Sequence, residues 1–315
     1  MMNMKFSIAI PAYKSQYLKE AIDSVLSQTY DNFELILLND SSPYNIDAII
    51  EPYLKDNRIL YVKNEYNVGA LNVVDNWNKC LELSKGDYFI CMGDDDKLDS
   101  HCLEGYCEYI NKYPTFDLFH VQTEMIDENS QFYSLQESRP EVESVYSMAW
   151  HRLTRKRDQY IGDFLFRIDK LREIGGFYKL PLAWGSDDIT TYKCAMQAGI
   201  VNIPKVLFQY RVNRYTISNS GNCSDKLRAI KEEKEWYRNN LLTAEPQTAL
   251  DEKYMILINR IFVQSFERKM ISTLASDLQN KPWYHLFKLA AVCRKHNISF
   301  KIAVVSMILG IYRKI

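Results

Sequence analysis

Four short runs constrain this chain most: FSIAIPAY (6–13), FELILLND (33–40), RILYVKN (58–64) and DYFICMG (87–93). They are apolar and rich in β-branched or aromatic residues, without strict polar alternation, as strands covered on both faces of a sheet must be. The first is expected to stop at Pro11. Segments of helical period lie between them. In SQYLKEAIDSVLSQTY, Leu18, Ala21, Ile22, Val25 and Leu26 recur at helical spacing, with Ser15 placed to cap the first turn. DAIIEPYLKD reads as helix up to Pro52, and NVGALNVVDNWNKCLELSKG as a helix with a glycine stop. Strand alternating with helix calls for a doubly wound, mainly parallel α/β sheet. Ligands of such sheets bind beyond the carboxyl ends of the strands. That rule groups Pro11–Tyr13, Asp40 and Asp94–Asp96 at one edge.

The middle of the chain is less regular. DLFHVQTEMID (117–127) reads as a strand pair, and RPEVESVYSMAWHRLTRKRD (139–158) as loop or helix. YIGDFLFRIDKLREIGGF reads as strand and helix up to Gly175-Gly176. LAWGSDDITTYKCAMQAGI puts Asp187 and Asp188 at the start of a helix that ends near Gly199. VNIPKVLFQYRVNRYTIS is a last strand leading into a basic loop. From Asp225 the pattern is mostly helical, which divides the chain into 1–222 and a helical 223–315.

With a net charge of −1 over 315 residues, the chain offers no electrostatic case for nucleic acid. Seven cysteines without a CxxC pair or zinc-like spacing are expected to be reduced thiols in a cytosolic protein. The opening MMNMKFSIAIPAYKS is too short in its apolar run, and wrongly flanked, for a signal peptide.

CMGDDDKLD (91–99) raises the chemical question, because three adjacent carboxylates repel one another. One answer is a solvated acidic turn that caps a helix. The other is a divalent cation holding a diphosphate, with Gly93 letting backbone approach the ligand. Neither GxxxxGK[ST] nor a GxGxxG after the first strand is present, so phosphate-loop and dinucleotide-binding readings lose their support.

Through SIAIPAYKSQYLKEAIDSVLSQTYDNFELILLNDSS, NEYNVGALNVV and SKGDYFICMGDDDKL, in that order and spacing, the chain resembles the family 2 glycosyltransferases of the GT-A fold, roughly over residues 5–220. The resemblance implies a mixed, mostly parallel α/β sheet with flanking helices, to which this chain adds a C-terminal helical extension. It also implies an inverting enzyme that takes a nucleotide-diphosphate sugar, commonly UDP-linked, with Mg²⁺ or Mn²⁺. Donor contacts implied by matching positions are Pro11, Ala12 and Tyr13 at base and ribose, Asp40 at uracil, Asn67 of the NVG segment, Asp95 at the ribose and Asp94 nearby. Asp96 is the implied metal ligand. Gly93 stands where many members carry the first aspartate, and DNWNKC (75–80) replaces an Ala-Arg-Asn, leaving Asn76 or Asn78 to take over the arginine's contact.

In WGSDD (184–188), which resembles the family's G-[ED]-D segment, Asp187 is the implied catalytic base and Ser186 holds a position often occupied by glutamate. The alternative for Asp187 and Asp188 is a helix cap that acts through the dipole. YRVNRYTIS (210–218) resembles a loop that closes over the diphosphate, with Arg211 and Arg214 toward the phosphates and Asn213 in place of a histidine. The implied acceptor is a glycan or a lipid-linked glycan, in bacterial surface polysaccharide assembly (O-antigen or capsule) at the inner face of the cytoplasmic membrane.

Beyond residue 225, YMILINRIFVQSFERKMISTLASDL has the period of an amphipathic helix. Apolar blocks then alternate with Lys288, Arg294, Lys295, His296, Lys301, Arg313 and Lys314, and none of them is long enough to span a bilayer. Either these helices pack on the core, or they form an interfacial segment on an anionic membrane. Two other classes compete with the transferase reading. A sugar nucleotidyltransferase would need a Gly-rich basic loop where PAYKSQY stands, and a non-catalytic sugar-nucleotide-binding module would have no use for Asp187.

Overall fold

The computed structural model describes residues 4–213, 222–280 and 282–312, with the side chains of 279–280, 282–288 and 311–312 outside the description. Arg214, Arg313, Lys314 and the Lys288 side chain, all singled out above, lie outside it. The strands are β1 (Phe6–Ala12), β2 (Phe33–Asn39), β3 (Ile59–Lys63), β4 (Tyr88–Cys91), β5 (Lys97–Leu98), β6 (Leu118–Ile126), β7 (Phe132–Leu135), β8 (Val142–Glu143), β9 (Phe164–Arg167) and β10 (Ile200–Arg211). The helices are α1 (Leu18–Leu26), α2 (Ile46–Ile50), α3 (Val73–Leu83), α4 (Cys102–Lys112), α5 (Val145–Leu153), α6 (Ile168–Glu173) and α7 (Ser186–Ala195), then α8 (Cys223–Trp236), α9 (Ala249–Asn280), α10 (Pro282–Lys295) and α11 (Phe300–Tyr312).

The sheet runs β3-β2-β1-β4-β9-β6-β10-β5, with β7 beside β6 and β8 beside β10. β3, β2, β1 and β4 are parallel, and β6 is parallel to β10. β9 runs against both of its neighbours, which makes the sheet mixed. Side chains of the central strands alternate between two apolar layers. Ala9, Ile36, Leu38, Phe89 and Cys91 face α3 and α5–α9, whereas Ile8, Ile10, Leu35, Leu37 and Ile90 face α1, α2 and α4. Burial on both faces is why these strands read as unbroken apolar runs.

Local physics moved several boundaries. β1 continues through Pro11 to Ala12, because Pro11 faces β4 only after that pairing has ended at Ala9↔Cys91, where no ladder N–H is needed. α1 starts at Leu18 without a side-chain cap, so Ser15 does not cap it. The helix expected from Asn67 onward begins only at Val73, after a 3₁₀ turn at Ala70–Asn72, because Asn67 and Val68 are held to Asp40. The strand pair expected over 117–127 is the single strand β6, and the 139–158 segment contains α5, whose N-cap Ser144 accepts from Ser147 N–H.

α9 packs into the same core as the sheet through Ile258, Phe262 and Phe266. Each such side chain contributes roughly 1.5–3 kcal/mol by burial, so this helix is an integral part of the core. A smaller cluster of Cys223, Leu227, Leu274, Leu278, Leu289 and Ile302 joins α8–α11. Among the described residues no helix is long and apolar enough to cross a membrane.

Candidate active site

The chain leaves β4 with Met92 N–H donating to Ala9 O (3.0 Å), and the acidic turn follows. Asp94 Oδ2 accepts the backbone N–H groups of Tyr13 (2.8 Å) and Lys14 (2.6 Å), stapling the end of β1 to the turn. Burial and the charge of Asp95 push the Asp94 carboxyl up to about 6, against these two donors. Asp94 therefore works through Tyr13, which it fixes in place. Asp95 Oδ2 accepts from Asn213 Nδ2 (2.6 Å) and lies 3.6 Å from Lys14 Nζ, while Asp96 Oδ1 accepts from Arg211 N–H (3.0 Å).

The second oxygens of Asp95 and Asp96 converge over Gly93. A methyl group on Gly93 would lie 2.8 Å from Asp96 Oδ2 and 2.9 Å from Asp95 Oδ1. A side chain at this position would push both carboxylates aside. Burial, and then the charge of Asp95, hold the Asp96 carboxyl well above the usual range. Two carboxylate oxygens converging on one point suit a hard divalent cation. Among the described residues no three His, Cys, Asp or Glu side chains could hold a metal. A cation here would need ligand oxygens to complete its shell, as Mg²⁺ commonly does with phosphates.

At the end of β2, Asp40 and Asn67 are brought together as expected from the sequence. Asn67 Nδ2 donates to Asp40 Oδ2 (2.9 Å) and Asp40 O (2.7 Å), and Val68 N–H donates to Oδ1 (3.0 Å). Asn64, which sequence reasoning missed, donates to Asp40 Oδ1 (2.8 Å) and to Asn76 Oδ1 (2.9 Å), and it accepts from Lys79 Nζ (2.7 Å). Asn76 is buried inside this network, not on a solvated helix face. Asn78 serves elsewhere, holding Phe177 through both backbone groups. Tyr13 is 41% exposed and meets the exposed Tyr44 edge to face (6.1 Å), forming an aromatic rim beside Asp40. Ala12 is fully buried and its carbonyl is taken by Asp40 N–H (3.0 Å), so it sets spacing and offers no surface to a ligand.

Arg211, expected at a diphosphate, is placed otherwise. It is 0% exposed, its guanidinium lies over the Tyr17 ring (4.1 Å), and it donates to Asp95 O (2.8 Å), Ser130 Oγ (2.9 Å), Asp127 O (3.2 Å) and Glu20 Oε2 (2.9 Å). With four protein acceptors it braces the acidic turn from behind. The apolar end of β10 gave no hint that this arginine turns inward.

The second carboxylate pair opens α7, behind the N-cap Gly185 (φ +95°). Asp188 is 1% exposed and bound by Arg152 Nε (2.9 and 3.2 Å) and Gln159 Nε2 (2.6 Å). Asp187 keeps partial exposure, and its carboxylate is hydrogen-bonded by the backbone N–H of Asp188. Burial and the charge of Asp188 push its carboxyl up to about 7. Ser186 is buried with its hydroxyl accepting Leu180 N–H (3.0 Å), which leaves no room for a glutamate. Tyr210 stacks on Tyr160 (3.7 Å, 13°), and burial, then the charges of Asp96, Tyr160, Asp95 and Asp187, hold its phenol well above the usual range.

The model of the family described as Glycosyl transferase family 2 matches residues 7–173. Curated relatives include an uncharacterised glycosyltransferase of Haemophilus influenzae, 34% identical over 108 residues (34% of this chain, 32% of the relative). Glycosyltransferase GlyG of Streptococcus pneumoniae is 30% identical over 105 residues (33% and 34%), and the minor teichoic acid biosynthesis protein GgaB of Bacillus subtilis is 30% identical over 116 residues (35% and 12%). The match spans less than half the length of each of these relatives. Among solved structures, S. aureus TarS 1-349 in complex with UDP-GlcNAc superposes with a TM-score of 0.66 at 16% identity, over 99% of this chain and 92% of that one. The mannosyltransferase PcManGT of Pyrobaculum calidifontis, in complex with GDP-Man and Mn²⁺, gives 0.56 at 13% identity (98% and 88%). These two likenesses are likenesses of fold.

Proposed function

We propose that this chain, which belongs to glycosyl transferase family 2, is a metal-dependent inverting glycosyltransferase that moves a sugar from a UDP-sugar to a surface glycan or lipid-linked glycan. The observation that carries this reading is the pair of oxygens of Asp95 and Asp96 converging over Gly93, beside a second carboxylate site that Asp187 opens at the start of α7. Tyr13 and Tyr44 offer ring surface to a base, and Asp40, oriented by Asn64 and Asn67, offers carboxylate lone pairs to an imide N–H such as that of uracil. Asp95 and Asp96 are the residues that would hold Mg²⁺ or Mn²⁺, and the bound cation would stabilise charge on the departing diphosphate. Asp187 takes the proton of the acceptor hydroxyl as that oxygen attacks the anomeric carbon opposite the leaving group, and one displacement inverts the centre. Its ionisation near pH 7 suits a general base at neutral pH.

The UDP assignment draws support from TarS, whose complexes hold UDP-GlcNAc and UDP, and the metal assignment from PcManGT with its Mn²⁺. A surface glycan as acceptor draws support from GgaB, a teichoic acid biosynthesis protein. Exposed Ile256, Leu257 and Val263 interspersed with exposed Lys253, Arg260 and Arg268 on α9 support peripheral contact with an anionic membrane.

The reading is tested by incubating the protein with UDP-, GDP- and dTDP-sugars and Mn²⁺, with and without acceptor extracts, and measuring free nucleotide. Binding without turnover would replace it with a binding module, and pyrophosphate formed from a nucleoside triphosphate and a sugar phosphate would replace it with a nucleotidyltransferase. Two substitutions probe its parts. Gly93→Ala should keep the fold and weaken Mn²⁺ binding in the presence of UDP at least about tenfold, read by calorimetric titration, because the methyl displaces both ligand oxygens. Asn64→Ala leaves Asp40, Asn76 and Lys79 each short of a partner. It should cost about 1–3 kcal/mol in chemical denaturation and weaken UDP binding in parallel.

A further inference from the structure

The buried charges behind α7 belong to elements far apart in sequence, and one comes from the C-terminal helices. Lys269 of α9 donates from Nζ to Glu233 Oε1 of α8 (2.5 Å) and stands 3.9 Å from Asp188 Oδ2. Glu233 is 0% exposed, and a methyl group on Gly185 would lie 3.2 Å from its Oε2, so this carboxylate sits against the N-cap of α7. Arg152 of α5 holds Asp188 from the other side and touches Asp158 at the rim (3.4 Å). Buried phenols of Tyr192 and Tyr237, bonded to each other (3.1 Å), complete the enclosure.

At the start of α7, three carboxylates (Asp187, Asp188, Glu233) thus face two cations (Arg152, Lys269). Four of the five charges are matched: Asp188 by Arg152 and Glu233 by Lys269. The charge left over is that of Asp187. We infer that Lys269 is a positioning residue for the catalytic base, balancing the carboxylate cluster that includes Asp187 and so making the C-terminal helices part of the catalytic machinery. The inference rests on the proposed role of Asp187 as base. Lys269 lies outside the 7–173 segment matched by the family. Burial raises the pKa of Asp187 most, followed by Asp188 of its own helix, and Arg152, the backbone N–H of Asp188 and Lys269 lower it, in that order, with the Tyr210 phenol of β10 also coupled to it. Removing Lys269 takes away an attractive positive charge, so Asp187 should hold its proton to higher pH. Removing the charge of Glu233 leaves Lys269 less compensated, so Asp187 should lose its proton at lower pH. A purely structural role has no reason to produce opposite signs.

The test is titration of the full-length protein labelled with [4-¹³C]aspartate. The Asp187 carboxyl resonance is assigned by its loss in Asp187→Asn, and wild type, Lys269→Met, Lys269→Arg and Glu233→Gln are compared. The expected midpoints move up by roughly half to one pH unit in Lys269→Met and down by a similar amount in Glu233→Gln, while Lys269→Arg stays near wild type. The rising limb of transfer rate against pH should shift the same way. Should Lys269→Met fail to fold, Glu233→Gln still carries the test through its downward shift. Midpoints that do not move, or that move together in one direction, overturn the inference. A wild-type protein that transfers no sugar overturns the proposed function instead, and the carboxyl titration still decides the coupling.

Discussion

Asp187→Asn is expected to lower the rate of sugar transfer by about 10²–10⁴-fold while donor binding and thermal stability stay close to wild type. Asparagine keeps the shape of the side chain and cannot accept the acceptor's proton. The Asp188 backbone N–H bonds the carboxylate, and the amide oxygen of asparagine can still accept it. In the wild type, kcat/KM should rise with pH and level off above about pH 7, where the carboxyl becomes ionised. The sign follows from the role: a base is active deprotonated, and burial and Asp188 delay its deprotonation. Calorimetric binding of UDP beside steady-state transfer separates the two effects. Retained transfer in Asp187→Asn would move the base role to another carboxylate.

Asp188→Ala, one residue on, should fail differently. It removes the partner of Arg152, Gln159 and, at longer range, Lys269 from a site with 1% exposure. Breaking a buried ion pair by deleting one member costs about 3–5 kcal/mol, a large part of the stability of an ordinary domain. The expected result is a strong fall in the midpoint of thermal unfolding, with activity lost only along with the fold. Neighbouring carboxylates with opposite phenotypes, one catalytic and one structural, would be hard to obtain from a simple helix cap.

Much of the sheet was legible because its strands are buried on both faces, and such burial demands unbroken apolar runs such as FELILL and YFIC. The carboxyl-edge rule then located Asp40 and the acidic turn, and the family resemblance added Asn67 and Asp187. The sequence did not reveal which side each polar residue faces. Arg211 looked like a phosphate contact because its segment resembles a loop that closes over the diphosphate, yet four oxygen acceptors and the Tyr17 ring hold it inward behind the acidic turn. Asn64 carries no local signal, since its value lies in meeting Asn76 across the gap between β3 and α3. Lys269 looked like one more cation on an amphipathic helix, and only tertiary packing brings it to Glu233. Gly93, where relatives often have an aspartate, is explained by two neighbouring carboxylates that occupy the space above it.

The most direct test of a single metal-assisted displacement is the anomeric configuration of the first product. Transfer, or slow hydrolysis, of a turned-over α-linked UDP-sugar in the presence of Mn²⁺ can be followed by proton NMR before mutarotation. A β-configured product, whose formation stops when the metal is chelated, is the predicted result. An α-configured product, or undiminished turnover in excess chelator, would contradict the account.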